Sequence, residues 1–438
     1  MRRRILPLLL VSVLALVAGC QTNSQSGSET TGDQPGRETR TSAIDESRTS
    51  AAEPASPDEP MSWGPTPAEL EEAQGLVAGW RPAQLAGQVI VARYFGNTPE
   101  EPANLVRDLH LAGVAVGGYN VVDAAQVRAT TAAVTRAHAA DGRSFPPVIG
   151  VDQEGGVVAH LDGVATTFPP FQEAGDAITA GARQGRTAVR NAAVSTAMEL
   201  RMLGFTWVFA PVADVTIGAA DPTIGSRSPS QDPKTAAAAI GAAVPGYDQA
   251  GVVSTTKHFP GHGSVTADSH EVLPKLDASL ETLRERDLVP FEAAVDAGAP
   301  AIMMGHLDAR AIAPGVPTSL APEAYDFLRD ELGFEGVAIT DSMGMGAVMR
   351  PGKPAVDAIN AGADLLLMPA DARRTHAVVT EAIEKGVIPR ERVEEAAARV
   401  VALQLWQQRQ ADAVPLPAPA VVTGRAQAAA TALDAAGE

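Results

Sequence analysis

Short apolar runs alternate along the chain with longer stretches that have the periodicity of amphipathic helices. This alternation is typical of a parallel β-sheet covered by helices. Eight runs are predicted to be strands, over residues 87–95, 112–116, 147–151, 206–212, 252–257, 301–305, 336–340 and 363–368. Helices are predicted between them, among others over 124–139, 190–203, 233–250, 280–297 and 323–331.

Polar clusters directly follow nearly all of these predicted strands. They begin at Tyr94, Gly117, Asp152, Asp214, Lys257, His306 and Asp341. In a closed parallel barrel the C-terminal strand ends converge on one mouth, so these side chains would share a pocket. We therefore predict an α/β chain with a single (β/α)8 TIM barrel over residues 66–410. A doubly wound open sheet is the alternative.

The first 20 residues have the organisation of an export signal. Three arginines precede an apolar stretch over residues 5–17, and Ala18 and Gly19 precede Cys20. This resembles the bacterial lipobox, in which cleavage before the cysteine leaves a thiol that receives a diacylglycerol. We expect residues 1–19 to be a lipoprotein signal peptide and Cys20 to anchor the protein to the cell membrane, facing outside the cytoplasm. The alternative, a transmembrane anchor, needs about 20 apolar residues, and this run is shorter.

Two further segments lack the pattern of packed elements. Residues 20–65 are rich in Ser, Thr, Glu, Pro and Gly and almost free of large apolar side chains, which predicts a disordered tether. Residues 411–438 are rich in Ala and Pro without a strong amphipathic period. We expect them to form a mobile or loosely packed tail.

The composition limits both the partners and the reactive groups that this protein can use. The formal net charge is −18, with 52 acidic against 34 basic residues, and no basic cluster follows residue 4, so a nucleic-acid partner is not expected. Cys20 is the only cysteine, which leaves the body of the chain without a thiol. Its chemistry must use oxygen and imidazole groups.

Residues 257–270 hold three of the eight histidines. His258 and His262 have the i, i+4 spacing of a metal-binding pair on a helix. Pro260 and Gly261 lie between them and break a helix, so we predict neither a metal nor a cofactor. A polar loop without function is a further alternative, but it leaves the concentration of charged groups at one strand end unexplained.

Asp268 and His270 are two residues apart, which in an extended segment places both side chains on one side. A carboxylate beside an imidazole favours the protonated ring and fixes its tautomer, as a proton donor near neutral pH requires. The nearby Gly261 and Gly263 suggest that this loop moves and brings His270 in after substrate binds.

Asp341 directly follows the apolar run 337–340, and Gly344 and Gly346 follow it. A carboxylate fixed at a strand end against small residues can approach a substrate atom closely, as a nucleophile must. An aspartate after a strand is equally often a helix N-cap. The groups predicted to bind a hydroxyl-rich ligand are Asp152, Arg227, Lys257 and His258. For Arg227 the alternative is a surface ion pair.

In their order and spacing these residues resemble glycoside hydrolase family 3, in its β-N-acetylglucosaminidase branch. The matching segments are 151–156 (VDQEGG), 210–215 (APVADV), 224–228 (IGSRS), 257–263 (KHFPGHG), 268–270 (DSH), 331–336 (ELGFEG) and 341–343 (DSM). The stretch 257–270 is the most specific, because it separates this branch from the family's β-glucosidases and xylosidases. Those relatives take their acid from a second domain, whereas we expect it here on a barrel loop.

The resemblance implies that Asp341 is the nucleophile and His270 the general acid/base, with Asp268 as its partner. It implies that the non-reducing sugar is bound by Asp152, Arg227, Lys257 and His258. The activity would be that of a retaining exo-β-N-acetylglucosaminidase with a covalent glycosyl-enzyme. A membrane-anchored enzyme faces peptidoglycan, so the expected substrates are cell-wall glycans or muropeptides with terminal N-acetylglucosamine.

Two alternatives to a hydrolase remain. A neutral imidazole base does not repel an anionic acceptor, so the same residues would also suit a phosphorylase. A sugar-binding lipoprotein without catalysis is the non-enzyme alternative, against which the presence of Asp341, His270 and Asp268 argues. The chain departs from the family at Val157 and His160, where arginines are common and the second one binds sugar.

Overall fold

The computed structural model describes residues 56–349 and 352–437. The predicted signal peptide, Cys20 and the tether up to residue 55 lie outside these ranges. Within the two ranges, no helix is both long and apolar enough to cross a bilayer.

Eight parallel strands form the barrel. They are β1 (Ile90–Arg93), β2 (Gly113–Val116), β3 (Val148–Val151), β4 (Trp207–Val208), β5 (Val253–Phe259), β6 (Ala301–Met304), β7 (Val337–Thr340) and β8 (Leu366–Leu367). Each strand pairs with the next along the chain from β1 to β7, and β8 pairs with β1. A parallel bridge between Ile339 and Leu365 joins β7 to the start of β8. The predicted barrel is confirmed, and the open doubly wound sheet is wrong.

Helices cover the outside of the barrel. They are α1 (Pro67–Ala78), α2 (Pro82–Gln88), α3 (Glu100–Leu109), α4 (Ala124–Ala140), α5 (Gln172–Ala180), α6 (Ala182–Met202), α7 (Pro233–Gln249), α8 (Leu280–Thr282), α9 (Val289–Asp296), α10 (Pro322–Asp326), α11 (Pro354–Ala361), α12 (Ala372–Glu384), α13 (Arg390–Ala413) and α14 (Pro419–Gly437). Two π-helical stretches, Leu283–Asp287 and Phe327–Glu331, follow α8 and α10.

Side chains in the sequence set where several helices begin. Thr66 caps α1 in a reciprocal capping box with Glu69, and Asp123, Asp232 and Asp371 cap α4, α7 and α12 by accepting from a backbone N–H of the first turn. The strands are buried on both faces, which is why they read as short continuous apolar runs.

Two short strand pairs lie outside the barrel sheet. Gln153–Gly155 pairs antiparallel with Val158–Ala159 directly after β3. Lys275–Leu276 pairs parallel with Asp308–Ala309. The first pair is a hairpin that carries Glu154 at the C-terminal mouth of the barrel.

The two ends of the body differ from their predictions. Residues 419–437 form α14, which packs against α5 and α6 and buries Val422 and Leu433, so the mobile tail is wrong. Alanine is the strongest helix former and its small side chain allows close helix packing, so few large apolar residues were needed. At the other end Trp63 is buried and Gly64 lies against the ring of Trp406, so the folded body begins before residue 66.

Candidate active site

A cavity of about 230 Å³ opens at the C-terminal mouth of the barrel. Six of the seven site residues predicted in the body line it, namely Asp152, Arg227, Lys257, His258, His270 and Asp341. They come from strand ends and loops between β3 and β7. The seventh, Asp268, contacts His270 from behind.

Asp341 lies directly after β7 and is buried. Its Oδ1 accepts a hydrogen bond of 2.6 Å from the Ser342 backbone N–H. The next helical turn, Gly346–Val348, begins after Met345, so the N-cap alternative for Asp341 is wrong. Burial raises the pKa of Asp341, but the nearby His258 imidazole and the hydrogen bond from the Ser342 N–H outweigh it and lower the pKa to about 2. The carboxylate is therefore ionised at neutral pH, as a nucleophile must be.

An ion-pair network forms one wall of the cavity. Lys257 Nζ lies 2.5 Å from Asp152 Oδ1 and 2.7 Å from Glu154 Oε1. Arg227 binds both Glu154 oxygens, through Nε at 2.7 Å and Nη2 at 2.8 Å. Burial opposes ionisation of Glu154, yet the two cations lower its pKa to about 2. The side chain of Arg227 is only 13% exposed, so its ion pair is not a surface one.

Asp214 holds the histidine segment in place. Its Oδ2 lies 2.7 Å from His258 Nδ1, and its Oδ1 accepts from the backbone N–H groups of His258 at 3.2 Å and His262 at 2.6 Å. Burial raises the pKa of Asp214, but His258 and His262 outweigh burial and bring the pKa below its usual value. Asp214 is therefore ionised and accepts these hydrogen bonds. His258 therefore donates from Nδ1 and keeps Nε2 for a ligand. The sequence placed Asp214 at a strand end without giving it a role.

The base of the loop after β5 is tightly packed. His262 Nε2 lies 2.9 Å from Ser269 Oγ, and the His262 ring is edge-on to that of His258 at 5.8 Å. A Cβ on Gly261 would lie 2.8 Å from Asp287 Cβ, and one on Gly263 would lie 2.4 Å from Val215 O. These glycines thus have a packing role, which the expectation of a hinge did not include. The described ranges contain no group of three or more His, Cys, Asp or Glu side chains arranged to hold a metal ion.

Asp268 and His270 meet at the tip of this loop. Asp268 Oδ1 accepts from both the backbone N–H and Nδ1 of His270, at 2.9 Å and 2.7 Å. The predicted contact is present, but it is made in a turn and not in an extended segment. The His270 side chain is 65% exposed. Because Nδ1 is occupied by Asp268, Nε2 is the nitrogen left for a substrate oxygen.

His306 is a further residue of the site that the sequence did not single out. Its Nδ1 lies 2.6 Å from Ser319 Oγ and its Nε2 lies 3.0 Å from Ser342 O. Burial lowers the pKa of His306, so the ring is neutral, accepts from Ser319 and donates to Ser342. It fixes the turn that carries Asp341. Its position after β6 was a signal, but its partner at 342 is brought close only by the fold.

The two departures from the family lie on the hairpin after β3. Val157 is exposed at the turn. His160 lines the cavity, and its Nε2 lies 3.9 Å from Asp152 Oδ2. Asp152 therefore has Lys257 on one side and an imidazole on the other.

Comparisons with known proteins agree with this geometry. Residues 81–403 match the glycosyl hydrolase family 3 N-terminal domain. The chain is 39% identical to a β-hexosaminidase of Stenotrophomonas maltophilia (strain K279a) over 262 residues, which is 59% of this chain and 76% of that protein.

Solved structures agree as well. A family 3 β-N-acetylglucosaminidase from Paenibacillus sp. str. FPU-7 superposes with a TM-score of 0.74 at 31% identity, over 80% of this chain and 68% of that one. A β-N-acetylhexosaminidase from Beutenbergia cavernae DSM 12333 superposes with a TM-score of 0.67 at 28% identity, over 75% of this chain and 99% of that one. The chain therefore belongs to glycosyl hydrolase family 3, in its β-N-acetylglucosaminidase branch, and is a glycoside hydrolase.

Proposed function

We propose that this protein is a retaining exo-β-N-acetylglucosaminidase that removes terminal non-reducing N-acetylglucosamine from cell-wall glycan fragments. The observation that carries the proposal is that Asp341 and His270 line the same cavity. Asp341 is ionised, and the ring of His270 is oriented by Asp268. One group suits attack on a sugar carbon, and the other suits proton transfer to the leaving oxygen.

The reaction has two steps. In the first, a carboxylate oxygen of Asp341 forms a bond to C1, the bond from C1 to the leaving oxygen breaks, and His270 Nε2–H protonates that oxygen. In the second, His270 takes a proton from water, the water oxygen bonds to C1, and Asp341 is released. Each step inverts C1, so the configuration is retained overall.

The sugar hydroxyls would be bound by the ionic wall. Asp152 and Lys257 end at the cavity and offer an acceptor and a donor side by side. Glu154 is saturated by Lys257 and Arg227, so it serves to hold these two cations in place. His258 offers Nε2.

The test is release of 4-nitrophenol from 4-nitrophenyl N-acetyl-β-glucosaminide, with and without phosphate, by the chain beginning at residue 21. We expect turnover that needs no phosphate and survives EDTA. Absence of turnover under both conditions would leave only a sugar-binding role. Accumulation of N-acetylglucosamine 1-phosphate would replace the hydrolase by a phosphorylase, and a loss in EDTA that zinc restores would add a metal to the site.

We further propose that Cys20 carries the lipid that holds the enzyme to the cell membrane, on the outer side. The support is the sequence before Cys20. In cells, the full chain is expected in the membrane fraction and to incorporate labelled fatty acid, while Cys20→Ser should do neither. Labelling of Cys20→Ser equal to that of the parent would contradict the assignment.

A further inference from the structure

Three polar side chains meet at the base of the loop after β5. Ser264 Oγ accepts a hydrogen bond from Arg286 Nη1 and donates one to Asp287 Oδ1, and Nη1 also lies 2.9 Å from that carboxylate oxygen. Arg286 and Asp287 end the π-helical stretch Leu283–Asp287, and Ser264 ends the turn His262–Ser264. We call these three residues the loop anchor. The reaction described above makes no use of it.

Arg286 joins this loop to the one before it in the chain. Its Nη2 donates to the backbone carbonyls of Val215 at 2.8 Å and Thr216 at 3.0 Å, in the loop after β4. A guanidinium has five N–H donors in a fixed fork, so it can bind a carboxylate and two loops at once. One side chain therefore connects the loop that carries Asp214 with the loop that carries His270.

Asp287 is buried, and its two oxygens differ. Its side chain is 1% exposed, and Oδ2 has no hydrogen-bond partner among the described residues. The charged groups that act on it are Arg286 in its own turn and Asp214 in the loop after β4. Burial and the charge of Asp214 raise the pKa of Asp287 to about 6, although Ser264 and Arg286 oppose the rise. The charge at the base of the loop therefore changes in a mildly acidic medium.

The far end of the same loop carries the proposed acid. The backbone N–H of Gly346 donates to His270 O at 2.9 Å, and that of Ala347 donates to Ser269 O at 3.3 Å. These bonds tie the loop tip to the turn after Asp341. The position of the His270 ring thus depends on two attachments, this one at the tip and the loop anchor at the base.

We propose that Ser264, Arg286 and Asp287 are positioning residues, which hold the loop after β5 so that His270 stays aligned with Asp341. This inference rests on the proposed function and adds to it residues that act on catalysis from outside the cavity. A general acid must lie within hydrogen-bond reach of the oxygen that it protonates, so a displaced loop lowers the rate without removing a group that binds sugar. The anchor is complete only while Asp287 is ionised, and it weakens below about pH 6.

The first test separates kcat from KM on two substrates, with the full chain. Ser264→Ala and Arg286→Gln should each lower kcat on N,N′-diacetylchitobiose about tenfold and keep KM within about twofold of the parent, because only the alignment of the acid is lost. The loss on 4-nitrophenyl N-acetyl-β-glucosaminide should be at most about threefold, since nitrophenolate leaves without a proton. Arg286→Lys should recover part of kcat. Losses in KM alone, or equal losses on both substrates, overturn the positioning role.

The second test uses Asp287→Asn, which mimics the protonated carboxyl at every pH. The ratio of parental to variant kcat on the disaccharide should fall from about tenfold at pH 8 to about twofold at pH 5, with its midpoint near pH 6. The ratio cancels the titration of every group that both proteins share. Ser264→Ala cuts the same link from the other side and should give the same profile, so the test does not depend on the folding of Asp287→Asn.

Glu285→Gln is the matched control for this pH profile. Glu285 is an exposed acid in the same turn as Asp287. The ratio of parental to Glu285→Gln kcat should therefore stay near one from pH 5 to pH 8. A ratio for Asp287→Asn or Ser264→Ala that does not change with pH overturns the role of the Asp287 charge.

Hydrogen exchange tests the anchor without turnover. Amides of residues 262–270 should exchange at least about fivefold faster in Arg286→Gln than in the parent, while those of the barrel strands keep the parental rate. Unchanged exchange in 262–270, or faster exchange throughout the chain, overturns the anchor. Failure of the parent to cleave either substrate, together with the expected exchange in Arg286→Gln, overturns the proposed function and not the attachment of the loop.

Discussion

Two buried aspartates near β7 and β8 show how one residue type serves opposite ends of the barrel. Asp341 follows β7 at the mouth, and Asp364 precedes β8 at the other end. Burial raises the pKa of each, and neighbouring groups outweigh burial and lower it. Both are therefore ionised in the folded protein.

Their hydrogen bonds differ. The Asp364 carboxylate accepts from Arg329 at 2.7 Å, Arg392 at 2.9 Å, Arg399 at 3.2 Å and the Ala338 N–H at 3.0 Å. Within the described residues Asp341 accepts one, from the Ser342 N–H. A saturated carboxylate is a structural clamp, whereas one with free lone pairs can act on a ligand. The difference lies in the number of donors and not in the degree of ionisation.

Removing the charge at the mouth should have the largest effect. We expect Asp341→Asn to lower kcat on 4-nitrophenyl N-acetyl-β-glucosaminide by about 10⁴-fold or more, because no bond to C1 can form. The thermal midpoint should change little, since Asp341 makes few contacts that hold the fold. A variant that keeps a tenth of the activity would contradict its role.

Removing the carboxylate at the other end of the barrel should lower the stability of the fold and leave activity nearly unchanged. Asp364→Ala removes the buried anion shared by three guanidinium groups that are themselves about one-fifth exposed, with side-chain exposures of 21%, 17% and 23%. Because water can reach these cations, the cost in urea unfolding should lie near the lower end for a broken buried pair, at about 3 kcal/mol. Its kcat at 25 °C should stay within about twofold of the parent while the protein is folded. Asp434→Ala, on the exposed face of α14, is the control and should unfold like the parent. If Asp364→Ala and Asp434→Ala were equally stable, Asp364 would not be a structural clamp.

Substitution of His270, the proposed acid at the rim, should have an effect on kcat that depends on the leaving group. His270→Ala should lower kcat about 10³-fold on N,N′-diacetylchitobiose, whose leaving oxygen needs a proton. The loss on the 4-nitrophenyl substrate should be much smaller, because nitrophenolate leaves without one. Equal losses on both substrates would count against His270 as the acid.

Glu154 combines features of the two aspartates. It lies at the mouth of the barrel like Asp341, but its oxygens are bound by Lys257 and Arg227, much as those of Asp364 are bound by three arginines. Its pKa of about 2 in the folded state is below the value of 4.5 for an unperturbed glutamate, so its stabilising contribution is present above pH 4.5 and is lost as pH falls towards 2. Between pH 5 and pH 3 the loss should be about 2 kcal/mol. Unfolding of Glu154→Gln should be less dependent on pH by that amount, and an identical slope would show that Glu154 is not held by its cations.

The barrel could be predicted because a strand buried on both faces needs an unbroken apolar run, and eight such runs are visible. The position of Asp341 at a strand end and the contact of Asp268 with His270 were predictable because each is defined by immediate neighbours in sequence, while their catalytic roles stay a proposal. The roles of Asp214 and His306 were not, since Asp214 reaches His258 across 44 residues and His306 reaches Ser342 across 36. The lipid anchor at Cys20 stays a prediction.

The packing of α14 limits where the chain can be truncated or cleaved by a protease without loss of activity. Leu433 of α14 shares a small cavity with Phe168 and with Glu154, the residue that holds Lys257 and Arg227 against the substrate pocket. A protease that cleaves between α13 and α14, or an expression boundary drawn at residue 410, would remove the support behind that hairpin. The smallest autonomous catalytic fragment should therefore extend to about residue 437.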